Sequence, residues 1–266
     1  MSNIKICALQ LGTLSISDSR LEYYLSLANE HGVKIVVLGE YVVNSFFNEL
    51  TKMPKSAIKA QSEQKKKSLS EFAKKYNLTI IAPVVISKGK DLLKVVIKFT
   101  PTTKKSKTQN ILMPYSHWNE NAFFQNDQNI DIMSFSQDGF KFGVIFGFEA
   151  HFDTFWQEIR NKKLDCVLIP TACALNSQKR WVELLKMRAF TNNVFVLRIN
   201  RLGKTKFDKV ETEFYGQSFL AGPNGNIINF LDEKEGMLIC DIDKKMLSNA
   251  RSTWKFRDIQ SKINSN

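Results

Sequence analysis

No stretch of the 266 residues approaches the ~18 consecutive apolar residues that a membrane-spanning helix requires. The first apolar run, residues 4–11, is broken by Lys5 and has no small-residue cleavage site after it. No signal peptide is therefore expected, and the expected compartment is the cytoplasm. Histidine is scarce, with 3 residues, and the 4 cysteines form no C-x-x-C pair. None sits beside a histidine at zinc-ligand spacing, so no metal and no cofactor are expected. Cys7, Cys166 and Cys240 lie inside apolar strand-like runs and read as small core residues. Cys173 differs, because it follows a strand in a polar turn. Acidic side chains are also in deficit: 26 Asp and Glu against 38 Lys and Arg give a net charge of +12. The lysines are scattered, and no helix-turn-helix, zinc finger or aromatic RNA-binding signature accompanies them. A specific nucleic-acid partner is not expected, although a basic nucleic-acid-associated protein stays open as a third reading.

What is present is an alternation of apolar β-rich runs and amphipathic segments. Residues 4–10 read as a strand, and Ser17 or Ser19 can cap a helix running to Glu30 with Gly32 as its stop. Residues 34–38 (KIVVL) read as a buried strand, and 56–76 as a lysine-rich helix with a solvated polar face. Residues 78–86, 92–100 and 106–112 form a strand meander. In the second half, strands are expected at 141–146, 165–169, 194–200, 215–221, 227–230 and 237–242. Helices are expected at 153–161 and 177–192, with a P-N-G hairpin turn at 223–225. With no linker and no low-complexity tract, the expectation is one unit over 1–266, its core at about 4–245 and a C-terminal tail at 246–266. Sheets covered by helices on their outer faces follow from this alternation.

A series of motifs then narrows the fold. IKICALQLG carries Gln10, KIVVLGEY carries Glu40, and FKFGVIFGFEAHF carries Gly147. LDCVLIPTA, KRWVELLKMRAFTNNVFVLRINRLG, YGQSFLAGPNGNII and LICDIDKKMLSNARSTWKFR follow in order. In this order and spacing the chain resembles the nitrilase superfamily of carbon-nitrogen hydrolases over residues 4–257. The resemblance implies an α/β fold, a four-layer α-β-β-α sandwich, commonly paired into dimers through helices. It also implies a Glu-Lys-Cys chemistry. A glutamate takes a thiol proton, the thiolate attacks an amide or nitrile carbon, and a lysine with backbone N–H groups stabilises the oxyanion.

By that resemblance Glu40 holds the general-base position. It follows Gly39, where the family usually has proline. A carboxylate closing a buried strand is costly unless it is hydrogen-bonded or used. In KTQNILMPYSHWNE, Pro114 anchors the register and places the lysine position on Gln109; a shift of two residues would place it on Ile111. Neither is cationic. Lys107 shares strand parity with Gln109 and is read as a solvated residue at the strand start. Glu120 is matched to a second family glutamate. The nucleophile position falls on Gly147, followed by Phe148 and Glu149, and glycine there would tolerate a strained elbow at no steric cost. Tyr41, Tyr115, Phe148, Glu149 and Cys173 are expected at the pocket, with Tyr115, Trp118 and Phe148 narrowing its entrance. His117 and His151 fall in nearby loops.

The leading expectation is therefore a catalytically inactive pseudoenzyme that binds a small molecule or a protein partner. The alternative is an active amidohydrolase acting on a small amide, an ω-amido acid or an N-carbamoyl compound through a displaced nucleophile such as Cys173. Without a cation beside it, Glu40 should be held by Gln109, Tyr41, Asn44 or water, and Glu40→Gln should cost little stability. A homodimer is expected through residues 151–159 and 177–192, the latter carrying Trp181, Leu184, Leu185 and Phe190.

Overall fold

The computed structural model describes residues 3–174, 177–207, 210–257 and 259. In chain order the first half runs β1 (Asn3–Gln10), α1 (Ser19–Glu30), β2 (Ile35–Leu38), α2 (Phe47–Leu50), α3 (Lys55–Lys75), β3 (Thr79–Lys88), β4 (Asp91–Phe99) and β5 (Lys104–Thr108). Two short strands, β6 (Pro114–Tyr115) and β7 (Trp118–Asn119), lead into the second half. There follow β8 (Met133–Gln137), β9 (Phe140–Val144), α4 (Asp153–Asn161), β10 (Cys166–Thr171), α5 (Gln178–Asn192) and β11 (Phe195–Asn200). The chain continues through β12 (Leu202–Phe207), β13 (Val210–Tyr215), β14 (Phe219–Ala221), β15 (Ile227–Phe230), β16 (Gly236–Asp243) and α6 (Lys244–Trp254).

Two six-stranded sheets result, in the orders β16-β1-β2-β3-β4-β5 and β15-β14-β11-β10-β9-β8. In each, three central strands run parallel: β1, β2 and β3 in one, β9, β10 and β11 in the other. Antiparallel strands flank each core trio. The β-branched runs IVVL in β2 and CVLIPT in β10 are buried on both faces, as parallel strands covered on each side must be. Ile6, Ala8 and Val37 of the first sheet pack against Phe142, Leu168 and Leu197 of the second. The outer face of the first sheet is covered by Leu21, Leu25 and Ala28 of α1 and by Leu69 and Ala73 of α3. Phe155, Trp156, Leu185 and Ala189 of α4 and α5 cover the other. The architecture is the expected four-layer α-β-β-α sandwich.

Several details differ from the sequence reading. The strand expected over 106–112 ends at Thr108, and residues 109–112 leave the sheet. The strand expected over 215–221 is two strands, and the hairpin β12–β13 precedes it. Alternation of polar and apolar residues in LGKTKF and VETEFY carries that hairpin signal. The polar face of α3 is not wholly solvated: Lys65 is buried, donating to Asp18 at 2.5 Å and to the Ser15 carbonyl at 2.6 Å. Part of the expected tail, residues 246–254, belongs to α6, whose Leu247 and Ala250 are buried. The remainder includes residues 258 and 260–266, outside the described residues. The P-N-G turn joins β14 to β15, with Gly225 at a φ of +78°, where a side chain would be strained.

Candidate functional site

The parallel strands of both sheets deliver their ends to one region. Glu40 follows β2, Gly147 follows β9, and Thr171 closes β10. The backbone N–H of Glu40 donates to the Thr171 carbonyl at 3.3 Å, stitching the two sheets together there. Gly39 sits at this crossing, where a Cβ would stand 3.3 Å from the Thr171 carbonyl oxygen and 3.2 Å from the Arg201 nitrogen. Proline or any side chain would crowd that approach.

Glu40 is sealed from solvent and is paired with a lysine that the motif spacing did not reveal. Lys94, in the middle of β4, forms ion pairs with Glu40 and, at 2.7 Å, with Glu120. All three side chains are 2% exposed or less. Gln109, the expected lysine position, donates its backbone N–H to the Lys94 carbonyl at 2.9 Å and so lies across the ladder from it. Its side chain turns to the Ile111 carbonyl at 2.7 Å instead of to Glu40. The cation thus comes from the neighbouring strand, which corrects the expectation of a neutral site. Lys107 is not the partner either, since it pairs with Asp127 at 2.6 Å. Nor do Tyr41 and Asn44 serve Glu40. The Tyr41 hydroxyl donates to Glu120, and Asn44 bonds Ser62 at 2.9 Å and the Val85 N–H at 2.8 Å. The Glu40 Oε1 instead accepts the Gly147 N–H at 3.2 Å.

Glu120, on a 3-10 turn, also accepts from the Trp118 indole N–H and the Met113 N–H, each at 3.2 Å. Two carboxylates therefore share one ammonium. Burial, against the pull of Lys94, leaves the Glu40 pKa above its ordinary value, and the nearby Glu120 adds to the rise. Burial of Lys94 acts to lower its pKa, but Glu120 and Glu40 together outweigh this and hold the ammonium charged. Lys94 also lies over the rings of Tyr41 at 4.6 Å and Phe146 at 5.4 Å. Tyr41 takes up this position with a φ of +56°, an uncommon conformation for a non-glycine residue. Arg201 clamps it, donating to the Tyr41 carbonyl at 2.9 Å and to the Thr13 hydroxyl at 2.8 Å.

Gly147 has φ −53° and ψ −47°, ordinary right-handed helical values, so no strained elbow calls for glycine. What calls for it is space. A Cβ there would lie 2.8 Å from the Thr171 Cγ2 and 3.1 Å from the Glu40 Oε1. Thr171 is itself pinned by its hydroxyl, which bonds the Ile199 carbonyl and the Asn200 side chain, both at 3.0 Å.

Of the residues expected at the pocket, two lie elsewhere. Tyr41 is part of the sealed cluster's wall. Glu149 is buried beneath its 3-10 turn, where its carboxylate accepts from Asn110 N–H at 2.7 Å, Phe146 N–H at 2.9 Å and Ile111 N–H at 3.4 Å. Burial raises its pKa to about 7, against the lowering effect of these backbone donors. Tyr115, Trp118, Phe148 and Cys173 do line an open cleft of about 500 Å³, together with His117, His151, Ser177, Arg180, Trp181 and Phe207. Tyr115 and Phe148 meet edge to face, 5.9 Å apart, within its wall. Glu40, Lys94 and Glu120 are not among the residues lining it. Cys173 is a poor substitute nucleophile. Burial drives its thiol pKa up, more than the neighbouring Arg198 lowers it, so the thiolate is scarce.

Lys94 and Arg198 are the residues that motif matching missed. Both are cations placed inside apolar strands, LLKVVIKF and FVLRIN, and that interruption was the available signal.

The model of the carbon-nitrogen hydrolase family matches residues 17–252. Among curated proteins, an N-carbamoylputrescine amidase of Arabidopsis thaliana is 28% identical over 152 residues, 52% of this chain and 51% of that protein. A beta-ureidopropionase of the same plant is 25% identical over 210 residues, covering 72% of this chain and 51% of its own length. The chain thus spans about half the length of these relatives. Among solved structures, a carbon-nitrogen hydrolase from Helicobacter pylori G27 superposes with a TM-score of 0.85 at 18% identity, covering 96% of this chain and 94% of that one.

Proposed function

The chain belongs to the carbon-nitrogen hydrolase family, and we propose that within it this protein is a pseudoenzyme, retaining the fold as a binding scaffold without amide or nitrile hydrolysis. The observation that supports this reading best is Gly147, at the position matched to the nucleophile. It bears no attacking group, and Thr171 and Glu40 occupy the space one would need. The charged residues point the same way. Glu40, Lys94 and Glu120 satisfy one another behind a wall, with no reacting atom between them. Losing a covalent nucleophile costs orders of magnitude in rate even where the rest of a site survives.

The names of the curated relatives suggest N-carbamoyl compounds to assay, and the alternative expected from the sequence adds small ω-amides. The expected outcome is no turnover above background, in the wild type and after Cys173→Ala alike. Gly147→Cys is expected to destabilise the fold by about 1 to 3 kcal/mol through overpacking against Thr171. Thr171→Ser should relieve that loss, because it removes the Cγ2 and keeps the pinned hydroxyl. Hydrolysis by the wild type that disappears in Glu40→Ala would refute the reading.

A homodimer through α4 and α5 belongs to the same proposal. Trp181 and Leu185, expected to be in apolar excess, are engaged in this chain's own core, but Phe152 and Met187 stay exposed beside Asp153 and Arg188, which pair at 2.6 Å. Light scattering at micromolar concentration is expected to give twice the chain mass, and a monomer mass would remove this part.

A further inference from the structure

The open cleft has walls of one character and a charge of one sign. Trp118 stacks on Phe207 with centroids 5.7 Å apart, and His151 meets Trp181 edge-on at 4.9 Å. Among the described residues that line the cleft, Arg180 is the cation and none is a carboxylate. The acids at the nearby strand ends are turned away: Glu40 and Glu120 onto Lys94, Glu149 onto three backbone N–H groups.

Behind one end of the cleft lies a second cation. The Arg198 guanidinium is 1% exposed and lies over the rings of Trp181 at 5.2 Å and Tyr215 at 5.4 Å. It donates to the Tyr215 hydroxyl at 2.9 Å and to the Gln217 carbonyl at 3.3 Å, while its Nε has no partner. Among the described residues no carboxylate lies within ion-pair distance of it. A buried guanidinium without a counter-charge is expensive, and neutral acceptors with aromatic faces offset only part of that cost. The Tyr215 hydroxyl that receives Arg198 is also 3.2 Å from the Ser177 hydroxyl, which lines the cleft. Positive potential from the buried side is therefore carried to the floor between Cys173, Ser177 and Arg180.

We propose that this cleft binds a flat aromatic carboxylate, its ring held among Trp118, Phe148, Trp181 and Phe207 and its anionic end toward Ser177 and Arg180. The ligand's charge meets Arg180 directly and faces Arg198 only through the Tyr215 and Ser177 hydroxyls. A cavity of about 500 Å³ holds a fused bicyclic ring with room to spare. An amine-bearing compound of the same shape is disfavoured, since its charge would face Arg180 with no acid among the described lining residues to meet it. This assignment rests on the cleft being a binding pocket and specifies which chemistry the pocket accepts.

The test uses the full chain and three isosteric probes: naphthoate, naphthamide and naphthylmethylammonium. Tryptophan fluorescence and calorimetry are read against concentration. Naphthoate is expected to bind saturably and at least about tenfold tighter than naphthamide, as a charge-assisted contact provides, with the ammonium weakest. Arg180→Met, at an exposed position that does not endanger folding, should cost naphthoate about tenfold and leave naphthamide unchanged. Trp181→Leu should weaken both. The assignment is overturned if the amide equals the carboxylate, if the ammonium binds best, or if none of the three saturates. Product formation from naphthamide is followed in the same samples. Its appearance would refute the inactive reading while leaving the preference for an anion to be judged on affinity alone.

Discussion

Two neighbouring regions, one sealed and one open, hold different chemical groups. Glu40, Lys94 and Glu120 form a sealed ionic cluster with donors on every side but no space. The adjoining cleft has ample space, aromatic walls and an anchoring cation, but its one thiol is pushed toward the neutral form by burial. On the inactive reading proposed above, the first region lacks access and the second lacks a reactive group. Tyr41 and Phe146 lie against the ammonium of Lys94, and Trp118 stands at the boundary, donating to Glu120 while it lines the cleft.

The sharpest way to break the sealed region is Lys94→Met, which strands two buried carboxylates without their cation. A loss of about 3 to 5 kcal/mol is expected by urea denaturation, as for other buried pairs with one partner removed. Glu120→Gln should cost less, about 2 to 3 kcal/mol, because Lys94 keeps Glu40 while several donors lose a charged acceptor. Glu40→Gln should cost least of the three, about 1 kcal/mol, because Glu120 remains to pair with Lys94. A larger loss for Glu40→Gln than for Glu120→Gln would invert this account of which acid carries the pair. On affinity for naphthoate all three changes should be silent, since none of these residues lines the cleft.

A separate expected effect, spread over a span of pH, concerns Glu149. Glu149 titrates near 7 in the folded chain against an ordinary value of 4.5. In the window between those values the folded state holds a proton that the unfolded chain has released. Its stabilising contribution is therefore full below about pH 4.5 and is lost as pH rises through 7, up to roughly 3 kcal/mol in all. Glu149→Gln should flatten the fall in stability between pH 5 and pH 8, measured as denaturation midpoints across buffers. An unchanged slope would mean that the three backbone donors keep the carboxylate ionised throughout.

Much of the fold could be read in the chain because two periodicities are written plainly in it. Runs such as IVVL and CVLIPT can only be strands buried on both faces, and Leu21, Leu25 and Ala28 mark the inner stripe of α1. The positions of Glu40, Glu120 and Gly147 were legible because each lies at the end of a recognisable strand or close to Pro114. The cation was not. Lys94 reaches the site from an adjacent antiparallel strand, through a register that pairs Val95 with Thr108 and Val96 with Lys107. Such lateral neighbours are set by hairpin geometry and have no fixed spacing in the sequence. The reason for glycine at 147 was hidden likewise. It lies in the Cγ2 of Thr171, on a different strand, and not in the backbone angles of the glycine itself.

The return of β16 to β1 has a consequence for the order in which the molecule assembles. β1 lies inside its sheet, yet one of its two neighbours is the last strand, with Asn3 opposite Asp243 and Gln10 opposite Gly236. During synthesis β1 can pair with β2 early, but its other edge stays open until residues 236–243 have left the ribosome. At ~5 to 20 residues per second, that is a delay of order ten seconds or more with an apolar strand edge unprotected. Contacts of this sequence separation also slow folding, because a long loop must close before any pairing is gained. Truncation before β16 would therefore leave the first sheet permanently with a sticky edge, a template for pairing with other chains. Closure of that edge thus waits on residues 236–243 alone, however early the other strands of the sheet are paired.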